Sequence, residues 1–284
     1  MSETSPPPAH QPGPFGRLLR FWRSTFGLSQ EELALETGVS ARHLSFLETG
    51  RSQPGRNMVL ALAGVFRLEP QDIATLLVAA GFTPDPPGVE LQAPEMRWLH
   101  KSLELNMRAL DPWAATVQDE YGNLQLVNRG WLALLRELVP PAFLEPPINS
   151  YRMFFAQGGL CERLIEWEDV ACRLLITLQQ EVLLSGDARA AAEFAALLAC
   201  PSIPDGWARR GAGIAFQNSF KLRLAMPDGP TRIWLYTVNT VGATPYVGSP
   251  RLLVSLLTPE DLQRAYSGAE LLADDTLRHP LLHY

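Results

Sequence analysis

The stretch from Leu28 to Pro54, LSQEELALETGVSARHLSFLETGRSQP, leaves few folds open to the chain. Ser29 stands where a helix cap is needed, and Glu32 three residues on completes a capping box. Leu33 and Leu35 supply apolar contacts before Thr37-Gly38-Val39, where Gly38 accepts a turn that side chains resist. Ser40 caps a second helix that ends at Thr49-Gly50, with Gly50 in the position past a helix end that favours glycine. Two helices of about eight residues joined by a glycine turn make a helix-turn-helix unit.

Helical periodicity on either side completes a small all-α domain of five helices, expected over residues 15–82. Phe15, Leu18, Leu19 and Trp22 share one face of a helix from Phe15 to Thr25. Val59, Leu62, Ala63 and Phe66 do the same from Arg56 to Arg67, as do Ile73, Leu76, Leu77 and Ala80 between Pro70 and Gly81. Thr83-Pro84-Asp85-Pro86-Pro87-Gly88 breaks the pattern and opens a linker over 83–93. Residues 1–14, MSETSPPPAHQPGP, read as a disordered, proline-rich tail without the basic and apolar regions of a signal peptide.

The motif S-Q-E-E-L-A-x-x-x-G-V-S-x-x-x-L-S-x-L-E-x-G-R-x-x-P resembles the helix-turn-helix domain of phage-repressor and Cro-like bacterial regulators, over roughly Phe15 to Phe82. More narrowly, SARHLSFLETGRSQPGR followed by a long second domain looks like the MmyB-like regulators, whose second part is a PAS-like ligand-binding domain. In such proteins the N-terminal half of the second motif helix enters the major groove. Leu44 and Leu47 anchor that helix inward, so Ala41, Arg42, Ser45 and part of Phe46 project away. Arg42 alone among them can make two parallel bonds to guanine, which are worth about 1–3 kcal/mol of discrimination. Ala41 or Phe46 can touch a thymine methyl. The resemblance makes Gln30 a clamp on the DNA backbone that can reach a base edge. Ser40, Arg51 and Arg56 are further phosphate candidates, with a free helix-start arginine as the other reading of Arg56. His43 has two readings, a DNA contact or packing under the helix. The resemblance also pairs Glu48 with an arginine of the first helix, which by position is Arg23.

Charge alone would not suggest nucleic acid, since the net charge is −6. Residues 1–82 hold seven Arg, no Lys and seven acidic residues, so the whole deficit lies in the remainder. A neutral reader can bind DNA if its arginines share a face, though its non-specific affinity is then weak and salt-sensitive. No apolar run reaches the ~18 residues of a membrane helix. Cys161, Cys172 and Cys200 are odd in number and form no CxxC pair, which points to a reducing cytosol and against a disulfide framework or zinc site.

Residues 94–284 are expected to form an α+β domain. A stripe of Met96, Leu99, Leu103 and Met107 marks a helix from Pro94 to Leu110. Trp113–Gln118 and Asn123–Val127 alternate as strands around an Asp119–Gly122 turn, and Asn128 caps a helix carrying Trp131, Leu134, Leu135 and Leu138. That order is similar to the opening of PAS domains. The pattern is then helical from Asn149 to Cys200, with one long helix over Leu160–Leu184 and a shorter one over Asp187–Ala199. Strands return over 218–225, after which Met226–Pro230 turns through Asp228-Gly229, and again over 231–241 and 251–257. The result is a five-stranded antiparallel sheet covered on one side, with a closing helix or loose end after Pro259.

This domain lacks the signatures of the common hydrolase, metalloprotease and nucleotide-binding sites, so no enzyme, catalytic residue or resident cofactor is expected. Its histidines, His100, His279 and His283, are too few and scattered along the chain for a metal cluster. A lone haem-ligating histidine is a remote alternative. The domain does carry aromatic surface in excess of charge: Trp113, Phe154, Phe155, Trp167, Phe216, Phe220, Trp234 and Tyr236. These residues either fill a core or line a site for a largely apolar ligand such as a fatty acid or lipid metabolite. Arg152, Arg173 or Arg223 at its mouth would suit an anionic head. Cys172 is a further candidate lining residue, as a reactive thiol or as a buried apolar cysteine. The expectation is a cytoplasmic bacterial transcription regulator that binds double-stranded DNA as a homodimer and does not enter membranes. In it the second domain senses a small apolar molecule, or serves only dimerisation or protein interaction.

Overall fold

A computed structural model of the chain describes residues 12–84, 91, 93–214, 219–227, 229–241, 252–261, 268–274 and 276–284. Of these, residues up to 84 form one unit and residues from 91 onward a second. Most of the expected tail and linker, together with Phe216, Asn218, Asp228 and Arg251, lies outside the described residues.

The first unit is five helices: α1 (Pro14–Thr25), α2 (Gln30–Thr37), α3 (Ala41–Thr49), α4 (Arg56–Val65) and α5 (Pro70–Ala79). Proline opens α1 and α5, where its missing N–H leaves no intrahelical bond unmade. The Ser29 hydroxyl accepts from Glu32 N at 3.1 Å and the Glu32 carboxylate accepts from Ser29 N at 2.7 Å, so the capping box is closed. Gly38 and Gly50 end α2 and α3 in the left-handed region, at φ 69° and 76°, where a β-carbon is disfavoured. The apolar faces meet in one core that includes Leu19, Leu33, Leu44, Leu62, Phe66 and Leu76. Leu35 departs from the sequence expectation: it is 83% exposed, and Ala34 takes the buried place. Two positions beyond Leu33 is about 200° round a helix, which turns Leu35 to solvent.

The second unit opens with α6 (Arg97–Leu110) and the hairpin β1 (Ala114–Gln118) and β2 (Leu124–Val127). Five helices follow: α7 (Arg129–Leu138), α8 (Ser150–Phe155), α9 (Trp167–Ser185), α10 (Ala188–Leu198) and α11 (Trp207–Ala212). The chain then returns through β3 (Ser219–Leu224), β4 (Arg232–Val241) and β5 (Leu252–Pro259) before α12 (Gly268–Ala273). The strands make one antiparallel sheet in the order β2-β1-β5-β4-β3. Asn128 fixes the start of α7 to this sheet. Its fully buried side chain accepts from Ala115 N and Trp131 N, both at 2.9 Å, and donates to Trp113 O at 2.7 Å.

Two expectations are corrected here. The sheet is covered on both faces at its β1–β2 end, because α6 lays Leu103 and Met107 over Ala115, Val117 and Leu126 while Ala114 and Val127 join the cluster with α7. Toward β4 that second cover gives out, and Leu235 is 40% exposed. The long helix also starts later than its periodicity suggests. Leu160–Glu162 is a single 3-10 turn, and residues 163–165 instead pair with the edge of β3. Ala225 N donates to Arg163 O at 2.8 Å and Ile165 N to Arg223 O at 2.9 Å. Backbone groups of an edge strand must be satisfied, and that demand outweighs the helix propensity of these three residues.

Candidate functional site

The motif helix α3 is fixed from behind by α1 and α2. Gly16 of α1 lies so close to α3 that a β-carbon there would sit 2.5 Å from Glu48 O. Glu48 is 1% exposed, at the end of α3 where the helix dipole disfavours a carboxylate. It is held by Arg23, whose Nε and Nη2 donate at 2.5 and 3.2 Å, and by Gln30 Nε2 at 2.9 Å, with Arg20 Nε 3.4 Å away. Burial pushes the Glu48 carboxyl up, but the bonds from Arg23 and Gln30 and the charges of Arg23 and Arg20 hold it below the ordinary carboxylate range. The Arg23–Glu48 pair read from the sequence is therefore present, and Gln30 is tied into it. That third partner had no signal in the spacing.

Beside this network, Ala41, Arg42 and Ser45 face an open cleft of about 570 Å³ that Arg23, Ser29, Gln30 and Glu31 also line. The starts of α2 and α3 border it, which favours anions, while the Glu31 side chain adds a carboxylate to the lining. Arg42 is exposed, and its guanidinium carbon lies 5.3 Å from the centroid of the Phe46 ring. Arg51 lies over the same ring at 5.9 Å. Both guanidiniums are thus within cation–π reach of one ring. Ser40 accepts from His43 N at 3.2 Å, so its hydroxyl already serves as a cap. Arg56 donates from Nη1 to Thr83 O at 2.7 Å and braces the start of α4 against the segment after α5. Of the residues assigned to DNA from the sequence, Gln30, Ala41, Arg42 and Ser45 thus share one cleft, Arg42 and Arg51 share the Phe46 ring, and Gln30, Ser40 and Arg56 have structural bonds.

In the second unit, Phe154, Trp167, Phe220, Trp234 and Tyr236 all join the main apolar cluster between sheet and helices. Phe155 touches it through its rings, with centroids 5.1 Å from Phe154 and 5.2 Å from Trp167. Phe220 stands opposite Tyr236 on neighbouring strands, and the Tyr236 hydroxyl lies 3.0 Å from Ser255 Oγ. Burial pushes the Tyr236 phenol up, so it stays neutral. Trp234 is 3% exposed, and its indole Nε1 has no hydrogen-bond partner among the described residues. Cys172 is placed elsewhere, on the side of α9 against α11, where a β-carbon on Gly211 would sit 2.4 Å from Cys172 O. Burial also raises its thiol, which makes it a poor nucleophile. Trp113 contributes its carbonyl to Asn128 and is absent from the main cluster. Two of the three histidines meet in space: His100 Nε2 and His283 Nδ1 lie 3.1 Å apart across 183 positions of chain, while His279 Nε2 lies 2.6 Å from Leu144 O.

Comparison with known proteins follows this division. The family model described as "MmyB-like transcription regulator ligand binding domain" matches residues 99–261, more than half of the chain, and a "Helix-turn-helix domain" model matches 14–76. An uncharacterized HTH-type transcriptional regulator of Archaeoglobus fulgidus is 34% identical over 55 residues, which are 19% of this chain and 79% of that protein. The restriction-modification controller protein C.AhdI from Aeromonas hydrophila is 33% identical over 21% of this chain and 91% of its own, with a TM-score of 0.20. An RNA-binding light-oxygen-voltage receptor is 13% identical over 87% of this chain and 60% of its own, with a TM-score of 0.26 that carries no structural weight. Among the described residues no helix is long and apolar enough to cross a membrane. With a DNA-binding helix-turn-helix domain matched over 14–76 and the ligand-binding domain over 99–261, the chain belongs to the MmyB-like transcription regulators.

Proposed function

We propose that the protein is a homodimeric, cytoplasmic bacterial regulator whose second domain binds a largely apolar small molecule carrying one hydrogen-bond acceptor, a fatty acid or related lipid metabolite. The observation that carries this reading is the indole N–H of Trp234, buried without a partner among the described residues and packed with Phe154, Trp167, Phe220 and Tyr236. An unsatisfied buried donor costs about 1–3 kcal/mol, a penalty that a ligand oxygen would remove. The surrounding rings supply the apolar contact that holds such a molecule. In each protomer Arg42 reads a base edge in the major groove, with Gln30 and Arg51 on phosphates. A two-fold protein then meets a pseudo-palindromic site with half-sites about one helical turn or a multiple apart. The ligand shifts the spacing of the two reading helices only as far as it binds one arrangement better than the other.

Native mass spectrometry of the purified chain, with thermal melting across saturated and unsaturated fatty acids, tests the ligand assignment. A bound mass and a rise in melting temperature are expected. Trp234→Phe, which keeps an aromatic ring but removes the donor, should weaken binding about five- to tenfold, the worth of one net hydrogen bond. No adduct and no shift with any member of the panel would leave a dimerisation module in its place.

A further inference from the structure

His100 lies on α6 and His283 in the segment 276–284, yet their rings meet edge-on at 88° with centroids 5.1 Å apart. Glu104, one turn along α6, brings Oε1 to 3.4 Å from His283 Nδ1 and 3.9 Å from His100 Nε2. Two imidazole nitrogens and one carboxylate oxygen thus lie within 4.8 Å of one another. Zinc–nitrogen bonds near 2.0–2.1 Å and zinc–oxygen bonds near 2.0–2.2 Å set tetrahedral ligand atoms roughly 3.4 Å apart. The 3.1 Å between the two imidazole nitrogens and the 3.4 Å from His283 to Glu104 are already close to that spacing. The remaining 3.9 Å gap closes with a small rotation of the Glu104 carboxylate.

The surroundings hold these groups in position. Lys101 Nζ donates to Glu104 Oε2 at 2.9 Å, which leaves Oε1 turned toward the imidazoles. Tyr284, next to His283, is fixed twice: its phenol donates to Asp111 Oδ2 at 2.8 Å, and its main-chain oxygen accepts from Arg129 Nη2 at 3.4 Å. Partners of this kind orient metal ligands and hold them ready. The three side chains are 22%, 17% and 22% exposed, and His283 as a whole residue is exposed, which leaves room for water to take a coordination position.

We propose that His100, Glu104 and His283 form a binding site for a divalent transition metal of the zinc class, with a further position left to water. Two imidazoles with a carboxylate suit zinc, cobalt or nickel, whereas calcium and magnesium take oxygen ligands. A bound ion would tie α6, the first long helix of the second unit, to the segment 276–284. This reading is independent of the apolar ligand and of the DNA contacts.

The test uses the full chain without a histidine tag, stripped of metal and titrated with zinc chloride and, separately, cobalt(II) chloride. One equivalent should bind per chain. Cobalt should give a visible d–d band without a thiolate charge-transfer band, and zinc should raise the melting temperature. His100→Ala and His283→Ala should each weaken zinc binding at least tenfold and abolish the zinc-dependent rise, with the circular dichroism of the metal-free protein unchanged. Absence of binding in the wild type, wild-type affinity in either variant, or a thiolate band with cobalt would each overturn the site and leave a hydrogen-bonded histidine pair.

Discussion

Glu48 is the residue on which the placement of α3 turns. It sits at the unfavourable end of α3, nearly out of water, and links α1 through Arg23 to the start of α2 through Gln30. Removing one partner of a buried pair leaves the other uncompensated, so Glu48→Ala should destabilise the helical unit by about 3–5 kcal/mol, measurable by urea denaturation. Because the Glu48 carboxyl is held below its ordinary range, its contribution is complete above the unfolded-state value near 4.3. It is lost as pH falls through the lower folded value. Glu48→Gln should therefore flatten the acid limb of the stability profile, and an unchanged limb would show that other carboxylates set it. The Arg23–Glu48 pair was legible because resemblance fixes both positions. The Gln30 tie and the sharing of the Phe46 ring by Arg42 and Arg51 were not, since they depend on rotamers that spacing does not record. The His100–His283 meeting was equally hidden, because distance along the chain says nothing of distance in space.

Among the elements, two glycines in helices separate propensity from packing. A helical glycine is about 1 kcal/mol worse than alanine, so Gly64→Ala in α4, where nothing lies within 4 Å of the added carbon, should stabilise by up to that amount. Gly130→Ala in α7 should do the reverse. Its β-carbon would sit 2.3 Å from Pro112 O, and overpacking of backbone costs about 1–3 kcal/mol, more than the helix gains. Urea midpoints of the two variants moving in the same direction would contradict this. Caps made the helix-turn-helix readable in sequence: Ser29, Gly38, Ser40 and Gly50 each act within a few residues of themselves. The break before α9 was not readable, because what stops the helix is the distant edge of β3. Nor was the cover that α6 gives the second face of the sheet, since an apolar stripe announces that a face is buried without naming what it meets.

At the scale of the whole molecule, the two units divide charge as they divide function. The neutral first unit places Arg42 and Arg51 over one ring beside an open cleft, while the net −6 lies in the rest of the chain. Under the proposed function, attraction to the phosphate backbone is modest and discrimination rests on base contacts made by few side chains. That makes Arg42 the decisive residue of the account. The most direct measurement selects sites for the wild-type chain from a random duplex pool, then titrates wild type and Arg42→Ala against the selected site and a scrambled one at fixed salt. The account predicts that Arg42→Ala keeps its helical content and its weak binding to the scrambled duplex but loses about 1–3 kcal/mol of preference for the selected one. An unchanged preference in a folded Arg42→Ala protein would contradict it.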